Sequence, residues 1–228
     1  MSHEEDEHVE PVKRVIELND DLLANNEALA QKNAEICKAH GIKTFDIVGA
    51  IGAGKTLILE KLVEKLAPDH KILVINGDVT LRIDADRIEK HGAKCIQINT
   101  GHECALNAYH IYHVLKNVDL SSYDLLFIEN VGKLICPSDF VLGADMRIVI
   151  VSITEGEHVI RKHPLLFKMS QIAVINKIDL LPHLEDISVD RMVEDALKIN
   201  PSLVTIPMSA KTGDGLDELI SALNIWQS

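Results

Sequence analysis

Residues 49–56 read GAIGAGKT and follow the pattern G-x-x-x-x-G-K-[ST], with the apolar run 44–48 before them and helical periodicity after. The chemistry of such a loop is phosphate binding. Gly49, Gly52 and Gly54 permit tight turns that aim successive amides inward, that of Ala53 included, and the following helix adds its free N–H groups and positive dipole end. Lys55 can reach terminal phosphates as a point charge, and the Thr56 hydroxyl is placed to ligate magnesium, which demands octahedral oxygen donors. A glycine-rich turn entering an ordinary helix would not need all four defining positions.

Two further stretches address the other end of a nucleotide. Asn176-Lys177-Ile178-Asp179 follows the apolar run 171–175, at the carboxyl edge where open α/β sheets bind ligands. The Asp179 carboxylate can accept hydrogen bonds from guanine N1–H and the exocyclic amine. Adenine presents an acceptor at N1 and no amine beside it, so hydrogen-bond polarity selects guanine. The Lys177 stem can lie over the base, and Asn176 can brace neighbouring loops. Ser209-Ala210-Lys211, after another apolar run and before a helix, resembles the element with which GTPases support guanine O6 and the ribose side, or is a capped turn.

Between them, LLFIE at 125–129 ends an apolar strand in the carboxylate of Glu129, followed by Asn130, Val131 and Gly132. Glu129 is expected near magnesium, directly or through water, and the Gly132 amide is placed to detect a γ-phosphate. Asp78 and Asp84 either reach the same metal or cap helices. The expected ligands are GTP and Mg2+. The expected reaction is hydrolysis to GDP and phosphate, with Lys55, Asp84, Glu129 and Gly132 as the catalytic set. No glutamine stands ready to orient water and no arginine finger can be assigned, which implies slow intrinsic turnover and activation by a partner or a second subunit.

These residues need a frame that brings strand ends together. Val-, Ile- and Leu-rich runs at 44–48, 71–76, 94–98, 125–129, 147–152, 171–176 and 204–208 read as strands buried on both faces. Helical stretches at 56–66, 84–91, 104–116, 189–199 and 216–223 alternate with them. The expected fold is α/β: a P-loop NTPase with a mostly parallel, doubly wound sheet flanked by helices. Ahead of it, residues 1–10 form an acidic tail with nothing to bury, expected to be disordered. Residues 11–40 read as an amphipathic helical extension ending at Gly41, whose apolar face packs on the chain's own core or on a partner. Residues 41–228 are the expected GTPase domain.

Composition narrows the partners. A formal charge of −12 leaves no basic face to displace counterions from nucleic acid. Cys37, Cys95, Cys104 and Cys136 lie in a chain with no secretory signal and no long apolar span, so a reducing, cytoplasmic setting without disulfides or membrane attachment is expected.

The phosphate loop, Asp78, Asp84, the IENVG…LICP run (128–137) and the TEGEHVIRKHP run (154–164) make the chain similar, from about Glu27 onward, to the HypB family, the nickel-incorporation GTPases of hydrogenase maturation. The resemblance implies a nucleotide-dependent homodimer that works with a second nickel accessory protein and a metalloenzyme precursor. It also implies zinc or nickel bound at the subunit interface. Cys104 falls on the family's first metal-binding cysteine, Cys136 on its second, and His113 on a further histidine. The family's usual ECHLDAH stretch reads here Glu103-Cys104-Ala105-Leu106-Asn107-Ala108-Tyr109, so a histidine, an aspartate and a later histidine are replaced. His102 and His110 are the neighbouring imidazoles that could substitute. Two thiolates with one or two imidazoles suit zinc, or nickel in square-planar ligation, and a two-fold dimer doubles the supply. Buried, inert thiols are the other reading of the cysteines.

The expected function is that of a GTP hydrolase acting as a nickel metallochaperone or switch. A GTPase chaperone for another metalloenzyme, without a metal site of its own, and a GTP-binding scaffold with negligible turnover remain open. If Asp179 reads the base, Asp179→Asn will shift preference from guanine toward xanthine; competition between GTP and XTP for the variant checks this, and an unchanged preference for GTP refutes the assignment.

Overall fold

A computed structural model of the chain describes residues 11–77, 82–99, 105–134 and 140–225, and for 11–22 and 82–84 the backbone alone. All seven apolar runs are strands: β1 (Lys43–Gly49), β2 (Ile72–Asn76), β3 (Lys94–Gln97), β4 (Leu125–Glu129), β5 (Met146–Ser152), β6 (Ile172–Asn176) and β7 (Val204–Pro207). They form one sheet in the order β3-β2-β4-β1-β5-β6-β7, and every pairing is parallel. Parallel pairing puts all the carboxyl ends on one edge. β1 sits in the middle of the order, flanked by β4 and β5, so the loop that leaves it opens at the centre of that edge.

The helices are α1 (Pro11–Ala39), α2 (Lys55–Leu66), α3 (Arg82–Lys90), α4 (Ala108–Asn117), α5 (Val159–Lys162), α6 (Pro164–Lys168), α7 (Val189–Ile199) and α8 (Leu216–Ala222). Two sequence expectations need correction. The helix expected over 104–116 begins only at Ala108, because extended Asn107 caps it: its side chain accepts the His110 amide at 3.2 Å while His110 Nδ1 accepts the Asn107 amide at 3.2 Å. Ala105 is therefore outside α4 and does not share a helical face with Tyr109 and His113. α3 begins at Arg82, ahead of the expected start at 84, so Asp84 lies inside its first turn and not at the cap position.

Strand alternation divides the apolar side chains between the two faces. Phe45 and Phe127 stack with ring centroids 4.9 Å apart on the face that also holds Ile58, Leu62 and Val63 of α2, Ile88 of α3 and Leu219 of α8. The opposite face carries two clusters. One gathers Val149, Val151 and Ala173 with Ile160, Phe167 and Met192 of α5, α6 and α7; the other gathers Leu73, Ile75 and Ile128 with Cys37 of α1 and Ile111 of α4. No described helix is long and apolar enough to cross a membrane.

α1 is fastened by buried amides as well as by apolar contact. Asn26 accepts the Ala108 amide at 2.8 Å and donates to Val141 O at 2.8 Å, while Asn33 donates to Ala108 O at 2.9 Å and Leu142 O at 3.0 Å. The helix can approach so closely because Gly143 has no side chain: a Cβ there would stand 2.1 Å from Ala30 O, and its φ of +87° already excludes most L-residues. Gly41, at φ +69°, has open space around it. Gly143→Ala will thus lower the thermal midpoint well beyond Gly41→Ala, which carries only backbone strain of about 1–2 kcal/mol, and will expose α1 to limited proteolysis; equal melting of the two variants would show that the close approach contributes nothing.

Candidate functional site

The carboxyl edge of the sheet is built around a carboxylate almost wholly removed from water. Glu129, 1% exposed at the end of β4, accepts the Thr56 hydroxyl at 2.6 Å on one oxygen and Asn76 Nδ2 at 3.0 Å on the other. The start of α2 and the ends of β2 and β4 are thereby pinned to each other. A carboxylate and a hydroxyl in contact are an oxygen-only donor pair, the type a hard cation such as Mg2+ takes, so these side chains fit the metal the sequence implied. Asp78 lies outside the described residues, as does the side chain of Asp84.

From β1 the chain turns through Gly52 (φ +82°) and Gly54 (φ +102°) into α2, whose first turn has no side-chain cap. Its leading amides therefore point at the loop with no protein acceptor competing from the cap position. Lys55 is 5% exposed and folds back over the loop, donating to Ala50 O at 3.1 Å. Gly132 O accepts the Ile51 amide at 3.1 Å, and a Cβ at Gly132 would meet the Ile51 side chain at 2.5 Å, so the segment after Glu129 lies directly against the phosphate loop.

The loops carrying Asn176–Asp179 and Ser209–Lys211 join the same edge. Asn176 ends β6 and donates to Ala53 O at 2.8 Å, while its carbonyl oxygen accepts the Ala210 amide at 3.1 Å. One buried side chain spans the phosphate loop and the loop after β7. Gly54 makes room for it, since a Cβ there would sit 2.3 Å from Asn176 Nδ2. Lys177 takes the left-handed conformation, φ 68°, unusual for a residue with a side chain. Ser209 donates to Asp179 Oδ1 at 2.8 Å, which fixes the carboxylate's rotamer, and accepts the Thr212 amide at 3.2 Å. Lys211 is exposed at the rim.

Charged residues outside these motifs lie at the edge and, farther along the strands, within the sheet. Glu155 accepts the Ser152 amide at 2.8 Å; burial pushes its carboxyl up, opposed by that amide and by the charges of Lys177 and Lys55. It therefore stands within electrostatic reach of both lysines, one from each end of the site. Asp46 and Arg147 form an ion pair at 2.8 Å, both at most 6% exposed, on the face between the two apolar clusters. Charged residues interrupting TFDIV and MRIVIV were the signal for them, because a strand buried on both faces tolerates a charge only with a partner.

The residues predicted to hold nickel or zinc are only partly in view. His102, Cys104 and Cys136 lie outside the described residues. His113 is exposed on α4 with its ring 6.4 Å from that of Tyr109, and His110 is engaged in the cap of α4. Among the described residues no three His, Cys, Asp or Glu side chains converge to hold a metal ion. Cys37 is buried in the core beside α4, its thiol pushed up to about 12 by burial and by Asp145. Burial, with Glu89 and Glu129 nearby and Lys94 opposing, raises the Cys95 thiol to about 11. Neither is a thiolate at neutral pH.

Residues 43–207 match the family model for the CobW/HypB/UreG nucleotide-binding domain. The probable hydrogenase maturation factor HypB of Methanocaldococcus jannaschii is 47% identical over 206 residues, 90% of this chain and 93% of that protein. The crystal structure of hydrogenase maturation factor HypB from Archaeoglobus fulgidus superposes with a TM-score of 0.82 at 44% identity, covering 88% of this chain and all of the other. That of HypB from Helicobacter pylori in complex with nickel gives 0.80 at 34% identity, covering 87% and 93%.

Asn176→Ala orphans two buried backbone groups at about 1–3 kcal/mol each. At about 2–4 °C per kcal/mol for a chain of this size, the thermal midpoint should fall by roughly 5 °C or more. Guanine-nucleotide affinity should fall in the same variant. A melt that does not move would show that the bridge between the two loops carries no stability.

Proposed function

The chain belongs to the CobW/HypB/UreG family, and within it to the hydrogenase maturation factors named HypB, and on that premise we propose that it is a GTP hydrolase whose nucleotide state governs delivery of nickel to a nickel-enzyme precursor. The observation that carries this reading is the single edge on which Lys55, Thr56 and Glu129 meet Asn176, Asp179 and Ser209. Asp179 reads guanine N1–H and the amine, with its rotamer held by Ser209. Asn176 keeps the base loop at a fixed distance from the phosphate loop, and Ala210 and Lys211 close over the base. The amides of 49–54 and Lys55 receive the phosphate oxygens, on which negative charge shifts as water attacks the γ-phosphorus and the bond to the β–γ bridging oxygen breaks. Thr56 and Glu129, with Asp78 and Asp84, would hold Mg2+, which would supply neutralisation of the negative charge on the phosphates. The Gly132 amide, against the phosphate loop, reports whether the γ-phosphate is present.

Nickel, or zinc in its place, is the cargo. Cys104 and Cys136, with His102 and His113 as imidazole donors, are its ligands by family likeness, shared across a nucleotide-dependent homodimer in the cytoplasm. The nickel complex of the Helicobacter pylori relative supports a nickel role. GTP and GDP should then give different metal affinities, because both cysteines flank segments near the γ-phosphate. A second reading, a GTPase chaperone with no metal site of its own, has one observation in its favour: Ala105 is 3% exposed and apolar where the family places a histidine.

The deciding measurement is nickel and zinc affinity with GDP and with a nonhydrolysable GTP analogue, on the wild type and on Cys104→Ala and Cys136→Ala, with dimer mass followed in the same samples. Tight binding that both substitutions abolish and that changes with nucleotide is expected. GTP turnover without such binding would select the second reading, and no GTP turnover at all would remove both.

A further inference from the structure

The side chain of Asn130 is fully buried and occupies a junction that none of the proposed chemistry uses. It follows Glu129 directly, and its backbone amide continues the parallel ladder by donating to Ile47 O at 2.9 Å. Its Oδ1 is a shared acceptor, taking the Val131 amide at 3.0 Å and the Leu106 amide at 3.0 Å. Its Nδ2 donates to Asp46 Oδ1 at 3.3 Å, and Asp46 is the partner of Arg147, whose guanidinium donates to Phe140 O at 2.7 Å.

On one side, this junction leads toward the phosphate loop. Val131 precedes Gly132, which accepts the Ile51 amide of that loop. On the other side, it leads to the lead-in of α4 at Leu106 and, through Asp46 and Arg147, to the chain at Phe140. Because one oxygen serves both Val131 and Leu106, displacement of the Val131–Gly132 peptides must either drag Leu106 along or sacrifice one of the two bonds. In a site this far from water neither amide can exchange its partner for solvent without cost.

We infer that Asn130 is a positioning residue: it couples the γ-phosphate-responsive segment after Glu129 to the start of α4, acting through the amides of Val131 and Leu106 and touching neither nucleotide nor metal. The inference rests on the GTPase reading and adds to it the part through which the nucleotide state travels. α1 provides the internal control. Asn33 is as deeply buried and makes two hydrogen bonds to the same region, at Ala108 and Leu142, and among the described residues its hydrogen bonds do not reach the segment from Glu129 to Gly132.

The experiment uses the full chain with Mg2+ and compares wild type, Asn130→Ala and Asn33→Ala. Affinities for GDP and for a nonhydrolysable GTP analogue, single-turnover GTP hydrolysis, thermal midpoint, and amide exchange at Leu106 with and without the analogue are measured together. Asn130→Ala should keep GDP affinity within about twofold, bind the analogue about tenfold more weakly, hydrolyse GTP about tenfold more slowly, and lose the analogue-induced change in exchange at Leu106. Asn33→Ala should lower the thermal midpoint with the ratio of the two affinities unchanged. Should Asn130→Ala not fold, Asn130→Ser, which keeps a hydroxyl at the strand end but is too short to span to Leu106, should show the same selective loss. Equal weakening of both nucleotides, or an undiminished response at Leu106, overturns the inference. A wild type that binds no guanine nucleotide sinks the GTPase reading and this inference with it, whereas a binding wild type with an indifferent Asn130 sinks the inference alone.

Discussion

A carboxylate at the end of a fully buried strand is a constraint before it is a functional group. Glu129 has almost no contact with water, so its two oxygens must be answered from inside the protein. They are answered by Thr56 from the first turn of α2 and by Asn76 from the end of β2. Only a parallel arrangement places those donors beside it, because Asn76 and Ile47 are the register partners of Glu129 on its two sides. Sheet topology, strand register and the angle at which α2 leaves its loop are thus tied to one acid. A shift of β4 by one residue would turn Glu129 to the other face and leave both donors facing hydrocarbon.

A second polar seam runs across the opposite face of the sheet. Asp46, Arg147 and Asn130 lie between two apolar clusters, and Asn26 and Asn33 continue the seam onto α1. Burying a charge pair is costly, and leucines of similar volume would stabilise such a face equally well or better. What the polar groups add is selection of a single arrangement. Three consecutive carbonyls, those of Phe140, Val141 and Leu142, are each taken by a different buried side chain, from Arg147, Asn26 and Asn33 respectively. A segment of irregular backbone is held in one conformation where apolar packing alone would allow several.

The strands were legible in the sequence because apolar runs of that length between glycines and polar turns have few other uses; all seven appear, with ends displaced by a residue or so. The phosphate-loop and NKxD patterns also led to residues that the fold gathers at one edge, since both patterns carry their own strand and turn context. The bracing residues were not legible in the same way. Asn26 and Asn33 look like the polar face of an amphipathic helix, and nothing local says that their amides will meet backbone more than seventy positions away. Asn107 reads as a lost acidic residue when compared with the family pattern, yet its oxygen caps α4 and moves the start of that helix past Ala105. Asparagine at a cap competes with helix continuation through its own side chain, a local effect that periodicity does not register.

Asn176 makes the two halves of the edge a gauge of fixed length. Its amide is one rigid plane, donating to Ala53 O at one end and accepting from Ala210 at the other, with Gly54 cut away to admit it. The glycine-rich loop after β1 and the loop after β7 are therefore held apart by a spacer that belongs to the core and not to a swinging loop. If the two loops seat a base and its phosphates as proposed, ligands will be sorted by span as well as by the groups at their ends: a base without its phosphates, or a phosphate chain without its base, would meet only one jaw of a caliper that does not adjust.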